Sequence, residues 1–188
     1  MKKIIFVIIF LCLLVFLAVS IKNFREQPEK ELKLIKETNK IMEISSSIFF
    51  NDQLIPSKYT CDGESINPPL NFFGVPEETK SLVLIMDDPD APAGVWAHWL
   101  VWNIPPEINE IIEGFTPKGA NEGVTSSGKT GYEGPCPPFG AHRYFFKLYA
   151  LDTKLDLISE KITKNVLEQA MENHILARAE LVGRYKRF

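Results

Sequence analysis

The side chains of this sequence best suited to chemistry are one carboxylate and two imidazoles: Asp88, His98 and His142. Each lies where an apolar run meets a turn rich in proline or glycine. Such turns have few soft dihedral angles, so they can hold a polar side chain in one place. An aspartate and two histidines could bind an anion, bind a metal ion, or act as acid and base. Taken singly, each is also an ordinary residue of turns and sheet rims.

Two apolar runs are predicted to be the strands that position Asp88 and His98. Residues 81–86 are almost continuously apolar, which is typical of a strand covered on both faces. The next run alternates, and its period of two predicts that His98, Leu100 and Trp102 share a face. Since the connection is short, the two strands are expected to form a hairpin with Asp88 and His98 at the same end.

A third predicted strand, residues 144–151, follows the Pro/Gly-rich loop of residues 131–140. Tyr144, Phe146 and Leu148 would lie on its buried face. The stiff loop therefore delivers His142 to the start of a buried strand. This arrangement suits a small polar site at the rim of a β-structure.

The remaining globular sequence is predicted to contain a long loop and one helix. Residues 105–131 are rich in Gly, Ser, Thr and Asn, and so long a structureless stretch is usually mobile, functional or both. An apolar stripe of period 3.6 predicts a helix over residues 159–182, capped by Ser159 or Thr163 and followed by Gly183. Since His174 lies on that stripe, we expect it to be a core histidine.

Composition excludes some function classes. The 188 residues carry a formal net charge of −3 and no basic block, so nucleic acid is not expected as a partner. Three cysteines and three histidines are too few for most multi-ligand metal sites. We predict neither a cofactor nor a bound metal ion.

The chain is predicted to have three parts. Residues 1–21 combine two lysines with a long apolar run, which indicates either a cleaved signal peptide or a membrane anchor over residues 4–21. Residues 22–43 form a charged linker, and residues 44–188 form the domain. Either fate of the leader places the domain outside the cytoplasm.

Five motifs in order along the domain resemble the phosphatidylethanolamine-binding protein family, also called Raf-kinase-inhibitor-like proteins. They are Tyr59-Thr60-Cys61-Asp62-Gly63-Glu64, Asp88-Pro89-Asp90-Ala91-Pro92, His98-Trp99, Gly140-Ala141-His142-Arg143-Tyr144, and His174-Ile175-Leu176-Ala177 through Gly183-Arg184-Tyr185. The first and last are similar to the bacterial and archaeal branch. The resemblance covers about residues 44–188.

The resemblance implies a mainly β fold, an antiparallel Greek-key β-sandwich with a C-terminal helix, here preceded by an N-terminal hydrophobic helix. It also implies a small pocket for anionic groups such as phosphate or a phospholipid headgroup. Asp88, His98, His142 and Tyr144 fall on the pocket motif, and Pro138 falls on the Pro-Gly wall of the pocket. Asp90 and Arg143 are expected beside them, where their opposite charges would hold the loops in register.

Two functions are compatible with these residues. The first is a binding protein for a small anion, with an inhibitor-like regulatory role towards a protease or kinase. The alternative is a metal-assisted or acid-base hydrolase that uses Asp88, His98 and His142. The sequence has no HExxH or GxSxG pattern and no cysteine set for zinc, so binding is favoured over catalysis.

A disulfide is predicted between Cys61 and Cys136. If Cys12 belongs to the leader, these two are the cysteines of the exported part, and an oxidising compartment favours their pairing. They would be two free thiols if the domain stayed in a reducing cytoplasm.

Overall fold

The structure, a computed structural model, describes residues 41–157 and 161–187. The signal peptide or anchor predicted for residues 1–21, with its hydrophobic helix, and most of the predicted linker lie outside them. None of the helices within the described residues has the length and apolar character that a membrane span requires. The described elements are β1 (Glu43–Ser45), β2 (Gln53–Leu54), a 3-10 helix (Ser57–Tyr59), β3 (Leu70–Phe73), β4 (Ser81–Asp88), β5 (Trp96–Ile104), β6 (Glu110–Ile111), β7 (Asn121–Glu122), β8 (Ala141–Leu151), α1 (Lys164–Met171) and β9 (Ile175–Lys186).

The strands form two sheets. The smaller sheet has the order β1-β3-β6, and the larger has the order β2-β9-β8-β4-β5-β7. Neighbouring strands are antiparallel except β2 and β9. The predicted hairpin of β4 and β5 is present, with Asp88 opposite Trp96 at its turn end. The mainly β fold and the C-terminal helix are therefore as predicted.

Strand β4 separates two hydrophobic cores. Leu84 and Met86 belong to the core between the two sheets, and Ile85 belongs to a second core that includes Leu167 of α1. Every residue of β4 is buried, as the continuous apolar run predicts. Because side chains alternate along a strand, Asp88 continues the face of Met86.

The predicted helix over residues 159–182 is wrong in extent. The helix spans only Lys164–Met171, with Thr163 capping its N-terminus through a hydrogen bond from the amide of Val166. It ends because Glu172 leaves the helical region and Asn173 adopts a left-handed φ of 65°. The next residues form β9, which pairs with β8 along almost its whole length.

Gly183 lies within β9 rather than at the end of a helix. A Cβ atom at this position would lie 2.5 Å from Cγ1 of Ile55, so the close approach of the Ile55 side chain requires a glycine here. The prediction for His174 is wrong as well. Its side chain is 45% exposed, and its Nδ1 lies 2.8 Å from Oδ1 of Asp152 in a surface pair.

Candidate functional site

A pocket of about 360 Å³ opens where β4, β5 and β8 meet the loop of residues 131–140. The side chains of β4, β5 and β8 reach it from strand ends, as the sequence predicts for a site at the rim of a β-structure. All five residues expected in the pocket line it. Its walls are formed by Asp88, Ala91, Pro92, Ala93, Trp96, His98, Glu133, Gly134, Cys136, Pro138, His142 and Tyr144.

Asp88 and His142 form a buried pair where β4 ends and β8 begins. Nδ1 of His142 lies 2.7 Å from Oδ2 of Asp88, and the two side chains are only 5% and 4% exposed. The other carboxylate oxygen of Asp88 accepts a hydrogen bond of 2.8 Å from the amide of Asp90. Both oxygens of this carboxylate are therefore engaged, and the pair fixes the plane of the His142 ring.

A β-bulge sets the direction of His98. On β4, Met86 pairs with Trp99 and the next residue pairs with Ala97, so His98 has no partner across the strand. Its ring packs edge-on against Tyr144, at 5.2 Å between centroids. The prediction that His98 shares a face with Leu100 is wrong, because Leu100 packs in the second core, on the other face of the sheet.

Two hydrogen bonds tie His98 to the loop. The amide of Glu133 donates to the carbonyl oxygen of His98 at 2.9 Å. The imidazole Nδ1 lies 2.8 Å from the carbonyl oxygen of Glu133, which can only accept, so Nδ1 carries the proton. Burial lowers the pKa of His98 below its ordinary value. The hydrogen bond to the Glu133 carbonyl and the charges of Asp88 and Glu133 act in the opposite direction, but burial is the largest effect.

This lowered pKa predicts a loss of folding stability on mild acidification. Above the ordinary imidazole pKa of about 6.5, His98 is neutral in both the folded and the unfolded chain. As the pH falls below that value the unfolded chain binds the proton first, so the free energy of unfolding decreases. Urea unfolding should therefore show a larger decrease for the wild type than for His98→Gln between about pH 7.5 and 5.5. Equal decreases would contradict this role of His98.

Two buried polar atoms at the pocket have no hydrogen-bond partner. They are the hydroxyl oxygen of Tyr144 and Oε2 of Glu133. Tyr144 is fully buried, and burial together with the nearby charge of Asp88 raises the pKa of its hydroxyl. Because buried polar groups are nearly always hydrogen-bonded in folded proteins, a water molecule or a polar ligand is expected at these two atoms.

The loop of residues 131–140 is attached to the segment around Cys61 by several bonds. A disulfide joins Cys61 to Cys136, with their Cα atoms 5.4 Å apart. The amide of Cys61 donates to the carbonyl oxygen of Pro135, and the amide of Gly134 donates to Oγ of Ser65. A Cβ atom on Gly134 would lie 2.8 Å from that oxygen, so only glycine allows this approach. The pocket wall is therefore held independently of any ligand.

Asp90 and Arg143 lie beside the pocket rather than in its lining. Nη2 and Nε of Arg143 donate to the two carboxylate oxygens of Asp90 at 2.7 and 2.9 Å. The backbone amide of Arg143 donates to the same carboxylate. These hydrogen bonds lower the pKa of Asp90 to about 2. The pair connects the turn after β4 to the start of β8.

Sequence reasoning missed Glu133 and Trp96 as pocket residues. Glu133 lies in the Pro/Gly-rich loop of residues 131–140, but a loop has no periodicity from which the direction of a side chain could be predicted. A larger cleft of about 720 Å³ adjoins the pocket at Pro138, and in it Tyr185 and Arg187 both donate hydrogen bonds to the carboxylate of Asp62. Within residues 41–157 and 161–187, no three His, Cys, Asp or Glu side chains are placed to hold a metal ion.

Comparison with known proteins gives one consistent result. The family model described as phosphatidylethanolamine-binding protein matches residues 45–186. A UPF0098 protein of Methanothermobacter thermautotrophicus is 56% identical over 144 residues, which cover 73% of this chain and 95% of the relative. A UPF0098 protein of Pyrococcus abyssi is 51% identical over 151 residues, which cover 76% of this chain and 84% of that protein.

Two solved structures have similar folds. One is a phosphatidylethanolamine-binding protein homologue from Chlamydia trachomatis, with a TM-score of 0.76 at 44% sequence identity, covering 79% of this chain and 99% of that chain. The other is YbcL of Escherichia coli, described as a new member of the mammalian family, with a TM-score of 0.74 at 28% identity, covering 78% and 99%.

Proposed function

Because the chain belongs to the phosphatidylethanolamine-binding protein family, we propose that it binds a small anionic group of the phosphate type in the pocket of Asp88, His98, His142 and Tyr144. The observation that carries the proposal is the hydroxyl of Tyr144, which is buried at the pocket without a hydrogen-bond partner. A phosphate oxygen there would accept a hydrogen bond from this hydroxyl. Since the surrounding wall is already bonded in place, little ordering of the protein would oppose binding.

The internal hydrogen bonds of the pocket suit binding, because they fix both imidazoles before a ligand arrives. Nδ1 of each histidine is used within the protein, one for Asp88 and one for the carbonyl oxygen of Glu133. Both rings are therefore fixed in orientation and act as recognition groups. The described geometry offers no observation that favours the hydrolase alternative.

Removing the Tyr144 hydroxyl should weaken phosphate binding. In Tyr144→Phe the ring remains in the core, but the ligand loses one donor in a buried place. We expect the affinity for inorganic phosphate, measured by calorimetric titration of the full chain, to fall about tenfold. The free energy of unfolding should change little, since the Tyr144 hydroxyl has no partner within hydrogen-bond geometry, although the carboxylate of Asp88 lies near it.

Tyr132→Phe is the matched control. The hydroxyl of Tyr132 donates to the carbonyl oxygen of Tyr59 at 2.9 Å and does not line the pocket. This variant should lose about 1 kcal/mol of stability and keep its phosphate affinity. Unchanged phosphate affinity in Tyr144→Phe, or an equal loss in both variants, would remove the support for an anion at the Tyr144 hydroxyl.

We further propose that the domain works outside the cytoplasm, either anchored through residues 4–21 or released after cleavage, and that any inhibited partner there is a protease. The disulfide between Cys61 and Cys136 supports this, because such bonds persist mainly in oxidising compartments. Alkylation of the unreduced protein isolated from its own cells tests the compartment. Modification of both Cys61 and Cys136 would contradict the proposed location outside the cytoplasm.

A further inference from the structure

The pocket presents fixed hydrogen-bond acceptors as well as donors. A carbonyl oxygen and a carboxylate can only accept from the imidazoles, so Nδ1 of His98 and Nδ1 of His142 each carry a proton that is already used. In a neutral ring the second nitrogen then has a lone pair. Nε2 of His98, the ring nitrogen that is not bonded to Glu133, is therefore an acceptor in a residue that lines the pocket.

The carboxylate of Glu133 adds a further acceptor. Its Oε2 is buried and has no hydrogen-bond partner, and Glu133 lines the same pocket as His98. Among the lining side chains, the hydroxyl of Tyr144 is an unpartnered donor. An anion that brings no hydrogen would meet this donor but leave acceptors of the pocket unpaired, at a cost in affinity.

We infer that the pocket selects a phosphate group that still carries a proton, over sulfate and over the phosphodiester group of an intact lipid. One unprotonated oxygen accepts from the Tyr144 hydroxyl, and the P–OH group donates to Nε2 of His98. This inference rests on the proposed function and narrows its ligand to inorganic phosphate, since a phosphate monoester has already lost its second proton above about pH 6.

The charges around His98 are consistent with a neutral ring in this role. Asp88 from β4, Glu133 from the loop and, at longer range, Asp87 favour the protonated imidazole, and Tyr144 from β8 packs against the ring. Burial outweighs these charges and lowers the pKa of His98. At slightly alkaline pH the acceptor form of His98 is therefore the one that meets the ligand.

Calorimetric titration of the full chain with three probes at about pH 8 tests the inference. At this pH, about one unit above the second ionisation of inorganic phosphate, hydrogen phosphate and sulfate are dianions of similar size that differ in one proton. Dimethyl phosphate represents the lipid diester and has no proton. We expect hydrogen phosphate to bind about tenfold more tightly than either of the other probes.

Two variants identify the residue responsible. In His98→Gln the amide can turn either its oxygen or its NH₂ group to the ligand, so the ratio of phosphate to sulfate affinity should fall towards one. In Tyr144→Phe both affinities should fall and the ratio should persist. If His98→Gln does not fold, the wild-type ratio decides alone.

The outcomes separate the inference from the proposed function. Binding of all three probes with affinities within about threefold of one another would overturn the inference, while the proposed function as an anion-binding protein would remain supported. Failure of all three probes to bind would overturn the proposed function, and the inference with it. A preference that persists in His98→Gln would show that His98 is not the acceptor.

Discussion

Removing the disulfide by the double change Cys61→Ser and Cys136→Ser should lower the free energy of unfolding by about 4 kcal/mol. The two cysteines are 75 residues apart in the sequence, so the bond restricts a long loop of the unfolded chain. It also holds the pocket wall, because Cys136 lines the pocket. Equilibrium urea unfolding measures the difference, and phosphate affinity should fall in the same variant.

A reductant is the matched control for this change. Dithiothreitol should destabilise the wild type by a similar amount and leave the double variant unaffected. Thiol titration of the unfolded, unreduced full chain should detect one of its three cysteines, Cys12. Three reactive thiols, or a double variant as stable as the wild type, would contradict a bond that constrains the fold.

The change Asp88→Ala should cost about 3–5 kcal/mol of stability, because it removes one partner of a buried pair. The imidazole of His142 and the amide of Asp90 would lose their acceptor in a place that water barely reaches. Phosphate binding should also be lost, since the ring of His142 would no longer be held in one orientation. Urea unfolding and calorimetric titration measure the two effects.

Asp90→Ala, two residues away, provides the comparison. Asp90 pairs with Arg143, but the two side chains are 28% and 45% exposed, so water can replace the lost partner. Its cost should be much smaller, as is usual for surface pairs. Equal losses for the two aspartates would mean that the burial of the Asp88–His142 pair does not determine its contribution.

The parts of the fold that could be predicted from sequence are those with a clear period or a distinctive turn. The continuous run of β4 and the alternation in β8 identify buried strands, and the short connection after Asp88 identifies a hairpin. These elements place Asp88 and His142 at one rim. The five-motif resemblance adds Pro138 and Tyr144, which periodicity alone does not single out.

The parts that could not be predicted depend on contacts across the sheets. Strand β9 alternates small and long side chains, and its apolar residues also fit a helical stripe, so pairing with β8 decides between the two. The bulge that directs His98 is one residue in a register that the sequence does not reveal. The direction of the Glu133 side chain depends on bonds between separate loops.

The most direct test of the anion pocket is a nuclear magnetic resonance titration of the ¹⁵N-labelled full chain with inorganic phosphate. If phosphate binds in the pocket, we expect saturable shifts of the backbone amides of His98, Gly134, His142 and Tyr144, and little change in the larger cleft around Arg187. Shifts confined to that cleft, or no saturable shift at the pocket residues, would contradict phosphate binding in the pocket.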